Sequence, residues 1–511
     1  MLGLPASASN SRSRRQEQSS TRPNRLLTTE VLDEYENQTQ HLAMTLSAED
    51  FFATVSVTFT LPVEQLSVLP RTATLDALQQ VYCMIDQTFL PSKQSGLNKA
   101  AAALMQQVVE NHGLLHAFIF AQLVRNQATQ QHLTKHAEYY MLACHDQAVR
   151  FVNSRLLDAD TQCDDTNILA VLALAYSGKV NSRKEVGTGP SQGPLKSLQL
   201  LDLYGGTIDA VPAHELGIAK MVQLRGGPKS IRLSGLAQML SYADVIFSTR
   251  RLRTPSLPFV PSFRDDHGKI LRSVRTADRP LCTLGSGFSV LDRLSGSAEA
   301  KTLQAALQQI SLYVLAVDDY IVGSPLSQSL VVLADQRNMC QHGLLAMISS
   351  STSDKAKQAI VQVCTAAAMV FSLLCVYPIS AAPFSKCAAE VRGMLVSKSF
   401  EQVWREAPEL ATWIAVMGAL AAIDTGHRTW FVAVLDRCLS RTGISTWEGL
   451  RGLLQDFLWL PATNDADGYD LWNEIQESNP FKMDDSQEAN EVSWAETDNM
   501  QLPLNRSVTY P

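Results

Sequence analysis

Residues 213–261 read AHELGIAKMVQLRGGPKSIRLSGLAQMLSYADVIFSTRRLRTPSLPFVP, and this stretch decides the fold. Ile218, Met221 and Val222 have the spacing of one face of a helix. Residues 226–228, Gly-Gly-Pro, follow directly. Glycine tolerates the left-handed conformation that closes a helix, and proline cannot continue one. The sequence therefore predicts a helix that ends at this glycine break.

A second helix is predicted after the break. Its apolar face is formed by Leu233, Leu236, Ala237, Leu240 and Phe247. Its end is marked by basic residues, which favour a helix C-terminus, and by prolines, which stop a helix: Arg250, Arg251, Arg253, Pro255 and Pro258.

Asp244 lies near the apolar stripe of this second helix, where an unpaired carboxylate is costly to bury. We therefore predict a salt bridge between Asp244 and Arg225 across the glycine turn, which would fix the angle between the two helices. The alternatives are that Arg225 and Asp244 contact an effector ligand, or that they have neither role.

Helical periodicity dominates from about Asp76 onward, and only residues 54–60 alternate as a strand would. Four further apolar patterns each predict one helix: Leu104, Val108, Leu115, Ile119 and Leu123; Met141, Cys144, Ala148 and Val152; Ile168, Val171, Leu172 and Ala175; and Leu450, Leu453, Leu454, Phe457 and Leu458. Ser445 and Glu448 before the last pattern have capping-box form. The predicted fold class is all-α, a large irregular helical domain of stacked helical pairs.

Composition limits the class of protein. The 511 residues are 46% hydrophobic and 18% charged, enough to bury about 70–75% of the unfolded surface. The net charge of −7 argues against nucleic-acid binding over the whole surface, so a DNA contact would be local or made through a partner.

The nine cysteines lack the close pairs of a structural zinc site, because no two lie within four residues. Their number is odd, and the N-terminus has no apolar signal core. These features predict reduced thiols in the cytosol or nucleus.

One apolar stretch invites a membrane interpretation. Residues 358–385 contain no Asp, Glu, Lys or Arg, but Pro378 and Pro383 break the second half. The helical part, near residues 363–376, is shorter than the ~20 residues that a bilayer needs. A buried core helix is predicted, with a membrane segment as the alternative.

Composition also divides the chain. Residues 1–45 are a predicted disordered Ser/Arg-rich arm, suited to nuclear targeting or weak phosphate contact, or simply a solvated tail. Residues 75–475 form the helical domain. Residues 476–511 form a predicted disordered acidic tail with interspersed aromatic residues, which is typical of an activation segment or of an ordinary acidic tail. Within the domain, residues 179–194 are predicted to be an exposed mobile connection, and residues 253–287 an ordered crossing or a flexible insert.

Residues 463–474, TNDADGYDLWNE, partly match a calcium loop. Asp465, Asp467, Gly468 and Glu474 occupy the third, fifth, sixth and twelfth positions, but Thr463 replaces the first carboxylate ligand. We predict an Asp-rich turn between helices. The glycines of residues 187–193 lack the strand and the Lys-Ser/Thr pair of a phosphate cradle.

The histidines give no metal site by spacing. His112 and His116, and likewise His132 and His136, could share a helical face, but a third ligand is missing on that face. No nucleophile, base and oxyanion set emerges either. The sequence therefore predicts no catalytic, metal or cofactor-binding residues, and a protein that is not an enzyme.

The residues around the glycine break resemble a known family, the fungal-specific transcription factor regulatory domain that follows a binuclear zinc cluster. A second block, residues 408–474, is similar to the C-terminal part of the same domain, and the resemblance spans residues 75–475. The residues that carry the first block, together with its proline exit, are His214, Gly217, Met221, Val222, Arg225, Gly226, Gly227 and Asp244.

The resemblance implies a nuclear transcriptional regulator of a fungal metabolic or secondary-metabolite pathway, and an activator is a candidate. The six-cysteine zinc cluster of the family is not in this sequence, whose first cysteine is Cys83. DNA would therefore be reached through a partner, such as another DNA-binding regulator, or through a missing N-terminus. The transcription machinery is a further expected partner, a small-molecule effector a possible one, and a membrane is not expected. The alternative is a cytosolic helical scaffold or ligand-binding protein that does not bind DNA.

Overall fold

The computed structural model describes residues 71–85, 99–130, 134–181, 189–261, 281–325, 327–349, 355–397 and 400–478. Within these ranges the chain is helical without a strand, and its one β-type contact is an antiparallel bridge between Val180 and Ile208. The all-α prediction is confirmed there. The predicted strand at residues 54–60, the arm 1–45 and residues 479–511 of the acidic tail lie outside the described residues.

The N-terminal half of the helical domain is arranged around one helix, α3, which contacts α1, α2, α4 and α5. The helices of this half are α1 (Arg71–Cys83), α2 (Lys99–Glu110), α3 (His112–Gln130), α4 (Lys135–Leu156), α5 (Asp165–Leu174), α6 (Pro212–Leu224) and α7 (Leu236–Arg251).

The C-terminal half is arranged around α14, whose side chains from Leu410 to Ala421 are all buried. The helices of this half are α8 (Val290–Leu294), α9 (Ala298–Ile321), α10 (Leu330–Ala346), α11 (Lys355–Phe371), α12 (Phe384–Leu395), α13 (Glu401–Glu406), α14 (Pro408–Ala421), α15 (Arg428–Thr442), α16 (Trp447–Asp456) and α17 (Pro461–Glu477). Neighbouring helices pack in pairs, such as α3 with α4, α9 with α10 and α14 with α15. This confirms the stacked helical pairs.

Buried side chains form two hydrophobic clusters, which we call the N-terminal core (members from Ala77 to Leu257) and the C-terminal core (members from Leu195 to Ile475). Helix α7 belongs to both. Leu240 and Phe247 lie in the N-terminal core, whereas Val245 and Ile246 lie in the C-terminal core. The second predicted helix of residues 213–261 is therefore buried between the two cores, and not on one face alone.

Two predicted helix details are corrected. The pattern from Leu104 to Leu123 spans two helices, α2 and α3, which meet at Asn111. The Asn111 side chain donates to the Gln107 carbonyl at 2.9 Å, because a short amide competes with the backbone for helical carbonyls. At α16 the cap is Thr446, whose Oγ1 accepts from Gly449 N at 3.1 Å, so the predicted Ser445 cap is wrong by one residue.

The apolar stretch before Pro378 forms α11 and the π-turn Ser372–Val376 that follows it. By length and composition, Ala359–Val376 is apolar enough to cross a membrane, but 89% of it is buried inside the protein. This burial supports the predicted core helix.

The predicted mobile connection at residues 179–194 is corrected for its described part. Ser191 N and Oγ donate to the Asp467 carboxylate of α17, at 2.6 and 3.0 Å, and Gly193 N donates to Leu374 O at 2.6 Å. These contacts fix the C-terminal end of the connection to the C-terminal core, and they occupy donors that a phosphate cradle would need.

Candidate functional site

The glycine break that the sequence predicts is present. Helix α6 ends at Leu224, and Gly226 and Gly227 adopt φ angles of +100° and +90°. Met221 is buried in the N-terminal core with Ile218 and Val222. The turn is therefore a helix end of the kind that glycine permits, and it directs the chain into α7.

His214 has a structural contact at the start of α6. Its Nδ1 lies 2.9 Å from the Leu174 carbonyl at the end of α5. A carbonyl only accepts, so Nδ1 carries the proton and donates. Gly217, by contrast, has no described atom within 4 Å of the position that a Cβ would occupy.

The predicted Arg225–Asp244 salt bridge is wrong. Arg225 Nε lies 2.8 Å from Asp165 Oδ1 on α5, an ion pair without hydrogen-bond alignment, and its Nη1 donates to Cys163 O at 3.1 Å. Asp244 Oδ2 accepts from Leu257 N at 2.7 Å. The partners differ because Arg225, at the end of α6, faces the start of α5, whereas Asp244 faces the chain that follows α7.

The angle between α6 and α7 is held by a carboxylate that the sequence analysis missed. Glu215 on α6 is buried and forms ion pairs with Arg251, the last residue of α7, and with Arg253, two residues further on. The sequence signal was the basic end of α7, which we had interpreted only as a helix stop. Glu215 thus has the scaffold role that we had assigned to Asp244.

A cavity of about 70 Å³ lies beside this motif, where α3, α5 and α7 meet. One water needs ~10–15 Å³ on the same measure, so the space exceeds that of a single water several times. Apolar and aromatic side chains line it: Met84, Phe118, Ala121, Leu169, Leu172, Ala173, Tyr176, Tyr204, Met239, Tyr242 and Ala243. No charged side chain is among these lining residues.

Three tyrosines supply the polar atoms of the cavity. Tyr242 Oη donates to Gln199 O at 2.8 Å, and Tyr204 Oη lies 3.7 Å from Met84 Sδ. The buried Tyr176 hydroxyl has no hydrogen-bond partner among the described residues. A buried hydroxyl without a partner costs about 1–3 kcal/mol.

Burial keeps the tyrosine hydroxyls protonated. It raises the pKa of Tyr176 and of Tyr242 well above the usual value for a phenol, because the phenolate would be desolvated. Both hydroxyls therefore keep their protons at neutral pH: Tyr242 donates its proton to Gln199 O, and that of Tyr176 has no acceptor among the described residues.

Helix α10 carries an unusual set of polar side chains into the interior. We call these five residues, all fully or almost fully buried, the α10 polar cluster: Asp335, Gln336, Arg337, Asn338 and Gln341. Arg337 Nη1 donates to Leu195 O and Leu198 O at 3.2 and 3.0 Å, and its Nη2 donates to Gln199 Oε1 at 3.1 Å.

Gln199 connects the α10 polar cluster to the cavity. It has a left-handed conformation, φ 57° and ψ 29°, which costs about 1–2 kcal/mol in a residue with a Cβ. Tyr242 donates to its carbonyl, while Arg337 and Asn338 donate to its side-chain oxygen. These three bonds fix the strained residue and connect a cavity-lining tyrosine to α10.

The sequence analysis missed the cavity and the α10 polar cluster. Four consecutive polar residues, 335–338, cover every face of a helix at 100° per residue, so part of the run must point inward. That run inside an apolar helix was the available signal. The cavity tyrosines have no sequence signal, because they come from three separate segments.

The calcium-like segment is helical. Thr463 to Glu474 lies within α17, so the predicted turn between helices is wrong, although the carboxylates are engaged as structural groups. Asp465 accepts from Arg451 and from Trp459 Nε1, at 2.9 and 2.8 Å. Among the described residues, no group of three or more His, Cys, Asp or Glu is arranged to hold a metal ion.

His112 and His116, the histidine pair on α3, form a structural contact with each other. His116 is buried, and its Nδ1 lies 2.8 Å from the His112 carbonyl. Burial lowers the pKa of His116, because the charged ring would be desolvated. His132 lies outside the described residues.

The buried cysteines are protected from thiol chemistry. Six of the nine cysteines are buried, and burial raises the pKa of Cys144, for example, to about 12. The reactive form of a cysteine is the thiolate, which is scarce at neutral pH when the pKa is high.

No family model, no curated protein and no solved structure matches this chain. The resemblance to the fungal regulatory domain thus rests on the motif residues themselves, and the geometry described above stands independently of it.

Proposed function

We propose that this chain is a transcriptional regulator of the fungal type, acting in the nucleus through its helical regulatory domain. One observation carries the proposal: both blocks with the family resemblance contribute to a single hydrophobic cluster. Val245 and Ile246 from the first block, and Trp413 and Leu454 from the second, lie in the C-terminal core. Two separated sequence blocks that pack into one core support a single domain of the type that both blocks resemble.

The proposed mode of action is through other proteins. The net charge of −7 disfavours a broad DNA-binding surface. The domain would bind the transcription machinery or a second regulator that contacts DNA. Residues 476–511, rich in Asp and Glu with interspersed aromatic residues, would supply an activating contact.

A reporter assay tests this proposal. The full chain is fused to a foreign DNA-binding domain and directed to a promoter with the matching sites. We expect reporter output to change relative to the DNA-binding domain alone. A promoter without the sites is the control for indirect effects. A chain ending at residue 478, which keeps α17 whole, shows whether the acidic residues beyond it are needed. An unchanged output from the folded full-length fusion would contradict the proposal.

A second candidate is a cytosolic ligand-binding protein without a transcriptional role, and the cavity favours it, since apolar clefts with few polar groups are the usual form of small-molecule sites. Localisation separates the two candidates. A fluorescently tagged chain in the nucleus supports the regulator, whereas nuclear exclusion under all growth conditions supports the cytosolic protein.

A further inference from the structure

The cavity between α3, α5 and α7 has the properties of a ligand site, and its occupant can be inferred from its lining. The lining is apolar or aromatic and carries no ionisable side chain other than tyrosine. Burying an ion without a partner is strongly unfavourable. The occupant is therefore uncharged and mainly apolar.

The occupant also carries a polar group. Tyr176 lines the cavity, and its hydroxyl is buried without a hydrogen-bond partner among the described residues. Its ring is fixed between two others, 4.6 Å from Tyr204 and 5.3 Å from Phe247 by centroid distance. The hydroxyl is closed off from solvent and from the empty cavity alike, so a ligand hydroxyl or carbonyl would reach it only after a local shift of the lining, and would then supply its missing partner.

The size of the cavity limits the occupant to a small molecule. About 70 Å³ is roughly half of the ~150 Å³ in which an engineered cavity holds benzene. Met84 and Met239 are half-buried parts of the lining. Methionine is unbranched and flexible, so these two side chains can give way to a single ring.

We propose that this cavity binds a small, uncharged, mainly apolar molecule with one hydroxyl or carbonyl group, which forms a hydrogen bond with Tyr176. Through Met239, Tyr242 and Ala243, the ligand contacts α7, the helix shared by both cores. The inference does not depend on the transcriptional role, because it concerns binding to the purified chain.

The test uses three single-ring probes of similar size: benzyl alcohol, toluene and benzoate. Their dissociation constants for the purified full chain are measured by ligand-observed NMR. We expect benzyl alcohol to bind roughly fivefold tighter than toluene, the effect of about one neutral hydrogen bond. We expect benzoate to bind most weakly.

Two variants localise the binding. Tyr176→Phe removes only the unpartnered hydroxyl, so benzyl alcohol should bind no better than toluene. Ala173→Leu fills the cavity and should abolish the binding of both probes. The matched controls are Tyr139→Phe and Ala389→Leu, at exposed positions on α4 and α12, and neither should change the binding.

Several outcomes would overturn the inference. These are failure of the folded wild-type chain to bind benzyl alcohol, benzoate binding as tightly as the alcohol, or unchanged alcohol binding in Tyr176→Phe. Circular dichroism verifies that each variant is folded. Because the reporter assay and the binding assay have separate readouts, the loss of one proposal leaves the other open to its own test.

Discussion

Arg225 forms its ion pair with Asp165, Nε to Oδ1 at 2.8 Å, and this contact joins the end of α6 to the start of α5. Asp165 Oδ2 also accepts from the backbone N–H groups of Arg232 and Leu233, both at 2.8 Å. One carboxylate thus binds both sides of the glycine break, so α5 fixes the break itself, while Glu215 holds the angle between α6 and α7.

A double-mutant cycle can measure this relationship. Arg225→Ala and Asp165→Ala should be non-additive, with a coupling free energy of about 0.5–1 kcal/mol for a partly buried pair. Arg225→Ala and Asp244→Ala should be additive, because no ion pair joins them. The free energies of unfolding come from urea titrations. A coupling that appears only in the Asp244 cycle would show that our assignment of partners is wrong.

Two glycines of residues 213–261 should respond in opposite directions to alanine. Gly227 has φ 90° and ψ 177°, a region that side chains with a Cβ avoid, so Gly227→Ala should cost about 1–3 kcal/mol. Gly217 lies within α6 with open space around it, so Gly217→Ala should stabilise the helix by about 0.5–1 kcal/mol. Thermal unfolding of the two variants gives the comparison. Equal losses at both positions would contradict the structure and would point to a close contact at Gly217.

Two buried glutamines of the α10 polar cluster provide a second matched pair. Neither amide atom of Gln336 has a partner among the described residues, so Gln336→Met should stabilise the fold by about 1–3 kcal/mol. Gln341 donates to Thr249 Oγ1 at 3.0 Å and accepts from Ser372 Oγ at 2.5 Å. Gln341→Met should therefore destabilise the fold by a similar amount.

Urea unfolding of both glutamine variants checks this pair. If Gln336→Met is clearly the more destabilising of the two, the Gln336 amide has partners that the structure does not show.

The raised pKa of Asp244 should be visible in the pH dependence of the free energy of unfolding. Burial raises the pKa of this carboxyl above its usual 3.8, although the Leu257 and Ser256 N–H groups and the Arg253 charge oppose the shift. The folded state therefore holds the proton to a higher pH than the unfolded state does. The stabilisation that results is complete below the pKa that Asp244 has in the unfolded chain. It is lost as the pH rises through the higher pKa that Asp244 has in the folded protein.

The measurement compares the wild type with Asp244→Asn by urea unfolding between pH 3.5 and 7. We expect the wild type to lose stability relative to the variant as the pH rises from about 4, and then to level off. A wild type that gains stability relative to the variant over this range would mean that the folded pKa is lowered instead of raised.

The sequence predicted the positions of the helices well, but it predicted the side-chain contacts between helices poorly. Leu240 and Phe247 share an apolar face, and that periodicity alone places both in a core. The ion pair between Arg225 and Asp165 joins residues from different helices, and local spacing holds no information about it. Asp244 was predicted as the partner because a carboxylate near the apolar stripe of α7 is costly to bury unpaired, and Arg225 lies just across the glycine turn.

The same limit applies to the candidate site. The residues 226–228 were predictable, because glycine conformation is a local property. The cavity was not, since Phe118, Tyr176 and Tyr242 come from separate segments and meet only when the helices pack. The helix break at Asn111 and the cap at Thr446 have local causes, since each depends on a hydrogen bond between that side chain and the backbone. Such bonds compete with alternative backbone arrangements of similar energy at neighbouring residues, so residue spacing alone does not decide between them.

The central claim, that this chain regulates transcription, is tested most directly by chromatin occupancy. The epitope-tagged full-length chain is crosslinked in its native cells, and the DNA recovered with it is sequenced beside that of an untagged control. We predict enrichment at a defined set of promoters, carried by a partner or by the chain itself. Recovery no greater than that of the untagged control, with the tagged protein present and folded, would contradict the account.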